Sequence, residues 1–251
     1  MAYTTINKHT DYFNTVLYVG NGTAIGSGGN TVTGVGFQPD FVWGKARSGT
    51  DAVDNHELTD AVRGVTKFIK CNTTSAETTN TEALTSFTND GFTLGSNGQM
   101  NRNGNNCVAW NWKANGAGSA NTDGDITSTV SANTTAGFSI VTYTGNLSSS
   151  TSATVGHGLG VAPKMIITKR LSNTSEWAVL HEGLTSWNYV CWLNETDAQI
   201  DKSGNGSMSA PTSTVFSTNY TNALNVNSST YVAYCFAEKT GYSKFGSYTG
   251  N

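Results

Sequence analysis

One register runs through the whole chain. GVGFQPDFVWGKARS (Gly34–Ser48) lies over GLGVAPKMIITKRLS (Gly158–Ser172), so that Gly36, Pro39, Lys45 and Ser48 fall on Gly160, Pro163, Lys169 and Ser172, each 124 positions on. The same spacing recurs downstream, where VAWNW (Val108–Trp112) lies over VAYCF (Val232–Phe236). Two of the three prolines occupy matched positions. Tyr18 and Tyr143 open the related phrases YVGN and YTGN, 125 positions apart, and YTGN recurs at Tyr248–Asn251. A register held over such a span predicts one unit written twice. The expected organisation is an N-terminal arm over 1–12, a first unit over 13–114, a linker over 115–137, a second unit over 138–239, and a C-terminal strand over 240–251 that begins a third copy.

Within a unit the apolar period is two. Val108, Trp110 and Trp112 share one face of a strand, as do Val232, Tyr234 and Phe236, and both faces are expected in a sandwich core. FVWGK and MIITK are dense apolar runs of the kind found in buried strands. LTSFTNDGFTLGS reads as a hairpin about Asn89-Asp90-Gly91, because Asn and Gly accept positive φ. The segment 115–136 is rich in Gly, Ser, Thr and Asn and reads as linker, although ITSTVS within it can pair as an edge strand. The only helical pieces expected are short, around 61–70 and 77–85. The matched Gly-x-Gly-x-x-Pro segments read as a tight turn entering a strand. A phosphate cradle would need a following helix and a Lys-Ser/Thr, which the sequence lacks. The predicted fold is all-β, with two tandem homologous β-sandwich domains of jelly-roll or lectin-like kind.

Composition narrows the function. Charged residues are 12 % and the net charge is −3, with no run of like charge, which argues against nucleic-acid binding. There is no apolar run of about 18 residues, so no membrane span is expected. The N-terminus lacks the apolar stretch of a secretory signal, which points to synthesis in a cytoplasm. Cys71, Cys107, Cys191 and Cys235 have neither redox nor zinc spacing and read as small buried hydrophobes. No cofactor is expected.

Candidate chemistry is sparse. His56-Glu57 and His181-Glu182 fall near equivalent places but lack an H-E-x-x-H helix and read as polar residues near strand ends. His157, in GHGLG, reads as exposed. With no G-x-S-x-G elbow, no catalytic residue is assigned. Asn121, Asp123 and Asp125 alternate in a way that can converge on Ca²⁺, but the further acid of an EF-hand loop is missing, and a tight turn is the stronger reading. Trp177, Trp187 and Tyr189, in the divergent middle of the second unit, are the candidate sugar-stacking positions. Ordinary core packing is the competing reading.

YFNTVLYVGNG, GVGFQPDFVWGKARS, AVRGVTK, LTSFTNDGFTLGSNG, VAWNWKA, GFSIVTYTGN, GHGLGVAPKMIITKR and YVAYCFAEKTGYSKFGSYTGN together resemble a repeat domain of virion proteins from tailed bacteriophages, marine ones especially. The resemblance covers nearly the whole chain. It implies a non-enzymatic structural component of a virion, a tail fibre or another surface-exposed part, made in the host cytoplasm without a signal. It implies other virion proteins as partners and a homo-oligomer, trimeric as such fibres often are, that would shield edge strands. A carbohydrate-binding module for a host surface glycan is the alternative. The resemblance brings no catalytic residues. In this chain the loop Asn21–Thr31 looks longer than in the relatives, and KFGSYTGN is expected to pair as a strand with its own second unit or with a neighbouring chain.

Overall fold

The computed structural model describes residues 4–49 and 55–248. Strand accounts for 40 % and helix for 5 %, so the fold is all-β, in several antiparallel sheets. The chain divides into two compact units, Lys8–Ala117 and the residues from Gly118 onward, with residues 4–7 grouping with the second.

The N-terminal unit contains β1 (Phe13–Val19), β2 (Asn30–Val32), β3 (Phe41–Ser48), β4 (Glu57–Asp60), β5 (Lys67–Lys70), β6 (Thr78–Thr79), β7 (Leu84–Thr88), β8 (Gly91–Leu94), the single-turn helix α1 (Gly98–Asn101) and β9 (Asn106–Trp112). A six-stranded sheet runs β1-β9-β3-β4-β5-β6, and a three-stranded one runs β2-β8-β7. Val16, Val42 and Ala109 from the first pack with Val32, Leu84, Phe92 and Leu94 from the second, and Val35, Phe37 and Met100 fill the rest. Burying each of these larger side chains contributes roughly 1.5–3 kcal/mol.

The C-terminal unit contains β10 (Ser119–Asn121), β11 (Ser128–Asn133), β12 (Phe138–Thr144), β13 (Ser152–Gly156), β14 (Met165–Arg170), β15 (Trp177–His181), β16 (Tyr189–Trp192), β17 (Ile200–Asp201), β18 (Val215–Asn219) and β19 (Thr230–Phe236). Its large sheet runs β10-β11-β12-β19-β14-β15-β16-β17, and β13 pairs with β18. From β12 onward the large sheet repeats the order of the first unit, strand for strand. The registers agree as well: Phe13 faces Trp112 and Phe138 faces Phe236, while Val32 faces Phe92 and Val155 faces Phe216.

The repeated YxGN phrase is a lock that closes each sandwich. The Tyr18 hydroxyl donates to the Met100 carbonyl at 2.9 Å, and the Tyr143 hydroxyl donates to the Leu224 carbonyl at 2.7 Å. The next residue in each case is a fully buried asparagine, Asn101 or Asn225. Asn101 Oδ1 accepts from Asn21 N (2.9 Å) and Asn30 Nδ2 (2.8 Å), and its Nδ2 donates to Asn21 Oδ1 (3.1 Å) and Gly95 O (2.8 Å). Gly22 N also donates to Asn101 O at 2.8 Å. Asn225 Oδ1 accepts from Asn146 N (2.8 Å) and Leu147 N (3.3 Å), and its Nδ2 donates to Asn146 Oδ1 (3.3 Å) and Thr218 Oγ1 (2.9 Å). The glycine between is required by close approach. A Cβ at Gly20 would lie 2.2 Å from Arg102 O, and one at Gly145 would lie 2.3 Å from Val226 O.

Several expectations are corrected. Trp110 and Trp112 do not face the core between the sheets. The neighbouring Ala109 does, and Met100 fills the space, lying where a Cβ at Gly44 would meet its Cε at 2.0 Å. Tyr234 likewise lies on the face opposite Tyr231, Ala233 and Cys235, which join the core of the C-terminal unit. The segment expected as a linker supplies β10 and β11, which extend the large sheet of the C-terminal unit. The stretches expected as helices hold β5, β6 and the start of β7; in the first of them Gly64 and Thr66 take φ of +93° and +66° and break any helical path. Residues 244–248 form no strand; Tyr248 is 94 % exposed, and Thr249–Asn251 lie outside the described residues. His157 is buried, not exposed.

The hairpin at 89–91 forms as expected, with Thr88 facing Gly91. Asp90 in its turn explains the Gly-x-Gly segment. Its carboxylate accepts from Gly34 N (3.0 Å) and Gly36 N (2.6 Å), and these bonds hold its pKa below the usual carboxylate range. The backbone nest is filled by the chain's own anion.

Asn101→Ala leaves the Asn21 N–H and the Gly95 carbonyl without their buried partner. The unfolding free energy of the N-terminal unit is expected to fall by about 2–4 kcal/mol, read from urea unfolding; Asn225→Ala is expected to do the same in the C-terminal unit. His157 supplies a pH test. Its Nε2 meets Thr212 O at 3.2 Å and its Nδ1 accepts from Leu159 N at 3.2 Å, which suits the neutral ring, and burial lowers its pKa. The unfolded state, titrating near pH 6.5, takes up this proton first as pH falls. Stability is therefore full above about pH 7 and declines as pH drops through 6.5 toward the depressed value. The decline in urea midpoint between about pH 7.5 and pH 5 should be smaller in His157→Gln, which cannot take up the proton.

Candidate interaction surface

The outer face of the large N-terminal sheet is built from cross-strand rows. Thr15, Trp110 and Trp43 form one row; Leu17, Val108 and Lys45 form the next; Val19, Asn106 and Ser48 form the third. Period two puts these residues together on the face that turns away from the smaller sheet. Trp43 Nε1 donates to His56 Nδ1 at 2.8 Å, and the His56 ring lies parallel to Trp110, with an interplanar angle of 7° and centroids 6.5 Å apart. Trp43 meets Trp110 edge-on at 6.3 Å. Partial burial, followed by the charge of Lys45, lowers the His56 pKa. The bond from Trp43 works in the same direction, because it needs Nδ1 as an acceptor and so holds the neutral Nε2–H tautomer.

The face continues into solvent along β1. Leu17 is 63 % exposed and Val19 is 58 % exposed. β1 is the outermost strand of its sheet, with β9 on one side and no strand on the other among the described residues. Lys113 N donates to Tyr12 O, and Gly20 N donates to Asn105 O, so the even-numbered residues direct their backbone groups to β9. Thr15, Leu17 and Val19 therefore direct theirs outward. Phe13–Val19 contains no charge and no proline, the usual protections of an edge. The sequence signal was available in FNTVLYV, an uncharged alternating run; that it ends a sheet was not.

The residues singled out in the sequence fare differently. Trp177 is fully buried, under the Lys169 ammonium at 5.9 Å from its ring, and its backbone N donates to Asn194 Oδ1. It is a packing residue and no sugar can stack on it. Trp187 is half-buried against the core of the C-terminal unit, and Tyr189 is half-buried on β16. Asn121, Asp123 and Asp125 do not converge. Asn121 binds Asp123 within its own turn, and Asp125 Oδ2 accepts from Thr154 N (2.9 Å) and Thr154 Oγ1 (2.8 Å), so the turn reading holds over the Ca²⁺ reading. Among the described residues no group of three or more His, Cys, Asp or Glu is placed to hold a metal. His56 and Glu57 point to opposite faces, His56 to Trp43 and Glu57 to Asn97 Nδ2. His181 Nδ1 accepts from Gly183 N, and its ring meets Phe245 at 6.2 Å. All four cysteines are free; burial pushes the Cys71 and Cys235 thiols up to about 12, which leaves them unreactive.

Trp43→Phe removes the donor to Nδ1 while keeping an aromatic ring. The His56 pKa is expected to rise toward its ordinary value in this variant, as followed by NMR titration of the ring protons; an unchanged titration would show that the bond does not hold the tautomer.

No curated protein and no solved structure matches the chain. Residues 8–251 match the model of a family described as a domain of unknown function, DUF7483, and the chain belongs to that family.

Proposed function

We propose that this member of the DUF7483 family is a non-enzymatic structural component of a bacteriophage virion, a tail fibre or another surface-exposed part, built by duplication of one β-sandwich unit. One observation carries the reading: the strand order and the Tyr-Gly-Asn lock are the same in both units, while the sequences of their middles differ. A protein that repeats its framework and lets its loops drift is organised to build and present a surface. Low charge and the sequence resemblance support the same conclusion. The test is mass spectrometry and immunogold labelling of gradient-purified particles from the phage that encodes the chain. Its peptides are expected in the particles at structural abundance, with label on their exterior; a chain confined to the soluble lysate overturns the reading.

The alternative, recognition of a host surface glycan, is favoured by Trp187. Its ring is only half-buried, and it sits among Thr185, Ser186 and Asn188, which can bond sugar hydroxyls. On a glycan array, reproducible binding lost in Trp187→Ala supports recognition, and silence of the intact chain across the array removes it.

A further inference from the structure

We propose that β1 is an assembly edge that pairs antiparallel with β1 of a second copy of the chain, about a two-fold axis through Leu17. The inference goes beyond the virion reading and does not depend on it. The C-terminal unit shows what this position in the fold accommodates. There β12, the strand matched to β1, has its outer side filled by β11, from Ser128 facing Tyr143 to Asn133 facing Phe138. A sheet of this topology therefore extends past this strand with space for side chains on both faces. On β1 the same side is open among the described residues.

The open groups also select the occupant. Two outward groups are already taken: Thr15 N accepts no partner strand because it donates to Asn14 Oδ1 at 3.0 Å, and the Val19 carbonyl accepts from Asn30 Nδ2 at 3.1 Å. Between Thr15 and Val19 the outward groups left are the Thr15 carbonyl, the Leu17 N–H and carbonyl, and the Val19 N–H. This set is self-complementary. A two-fold axis through Leu17 sets each Leu17 N–H against the Leu17 carbonyl of the other copy, and each Val19 N–H against the Thr15 carbonyl of the other copy. The two groups already bonded, the Thr15 N–H and the Val19 carbonyl, fall opposite one another, so neither is left facing an unmet partner. A second β1 running parallel cannot use the whole set, since each register calls on the Thr15 N–H or the Val19 carbonyl of the other copy, both already bonded. The side chains agree with the backbone. Pairing brings the two exposed Leu17 residues side by side and covers Val19 and Thr15 of both copies, with no charge in Phe13–Val19 to oppose it.

The test is the oligomeric state of the full chain by multi-angle light scattering over a concentration series, joined to hydrogen exchange at the Leu17 amide. The chain is expected to reach twice its 26.5 kDa mass as concentration rises, with the Leu17 amide protected in the dimer and exposed on dilution. Leu17→Lys, at a solvent-exposed position, is expected to remain monomeric with an unchanged circular dichroism spectrum. Val19→Lys serves as the second variant should the first fail to fold. A chain that stays monomeric up to its solubility limit overturns the inference. So does a trimer, or any oligomer that persists in a folded lysine variant with the Leu17 amide exchanging freely.

Discussion

Each sandwich is closed by one buried asparagine. Asn101 and Asn225 engage both lone pairs of the side-chain oxygen and both hydrogens of the nitrogen, the full capacity of the group. Buried amides are costly when left unpaired and cooperative when every bond is made. The geometry is demanding because the backbone at Gly20 and Gly145 runs so close to the opposing carbonyl that no side chain fits. The tyrosine ring that enters from the same phrase completes the core: Tyr18 meets Phe92 edge-on at 6.1 Å, and Tyr143 meets Phe216 edge-on at 6.2 Å. Four residues thus fix the outermost repeated strand, the turn before the last strand and the smaller sheet in one place.

The two units share this lock and differ at the edge beside it. In the C-terminal unit the segment before β12 folds back as β10 and β11 and takes up the outward backbone groups. In the N-terminal unit a short 3-10 turn, His9–Asp11, comes before β1, which is the outermost strand of its sheet among the described residues. Among the described residues the outer side of β12 is paired with β11 and the outer side of β1 is not paired with a strand. The trimeric order implied by the phage resemblance would require a contact of another kind, since a two-fold edge closes on itself after two chains.

Much of this was legible in the residues. The period of two in β9 and β19, the hairpin at Asn89-Asp90 and the 124-residue register all lead to the strands that form. Size does not mark the core face of β9. Trp110 lies on the outer face, and the interior is served by Ala109, Gly44 and the inserted Met100, which reaches Gly44 from the single-turn helix just before β9. The spacing of Val62, Val65 and Ile69 imitates a helix. What it cannot show is that Asp60 binds Arg63 in a buried pair at 2.5 Å, closing a turn instead. Of the candidate site, the aromatic composition was visible. The burial of Trp177 was not, because it depends on Lys169 lying opposite on the adjoining strand.

The lock has a chemical corollary. Asn21 is followed by Gly22, a pairing in which the glycine nitrogen readily attacks the side-chain amide and releases ammonia, whereas Asn146 is followed by the bulkier Leu147. In the closed structure that attack is blocked: the Gly22 nitrogen is spent on Asn101 O, and the Asn21 amide is held by Gly29 O and Asn101. Ageing at Asn21 therefore proceeds only through moments when the clasp is undone. The slow gain of one unit of mass there is a clock that records how often the N-terminal sandwich comes open, and the matched position in the C-terminal sandwich, where Leu147 follows Asn146, keeps no such record.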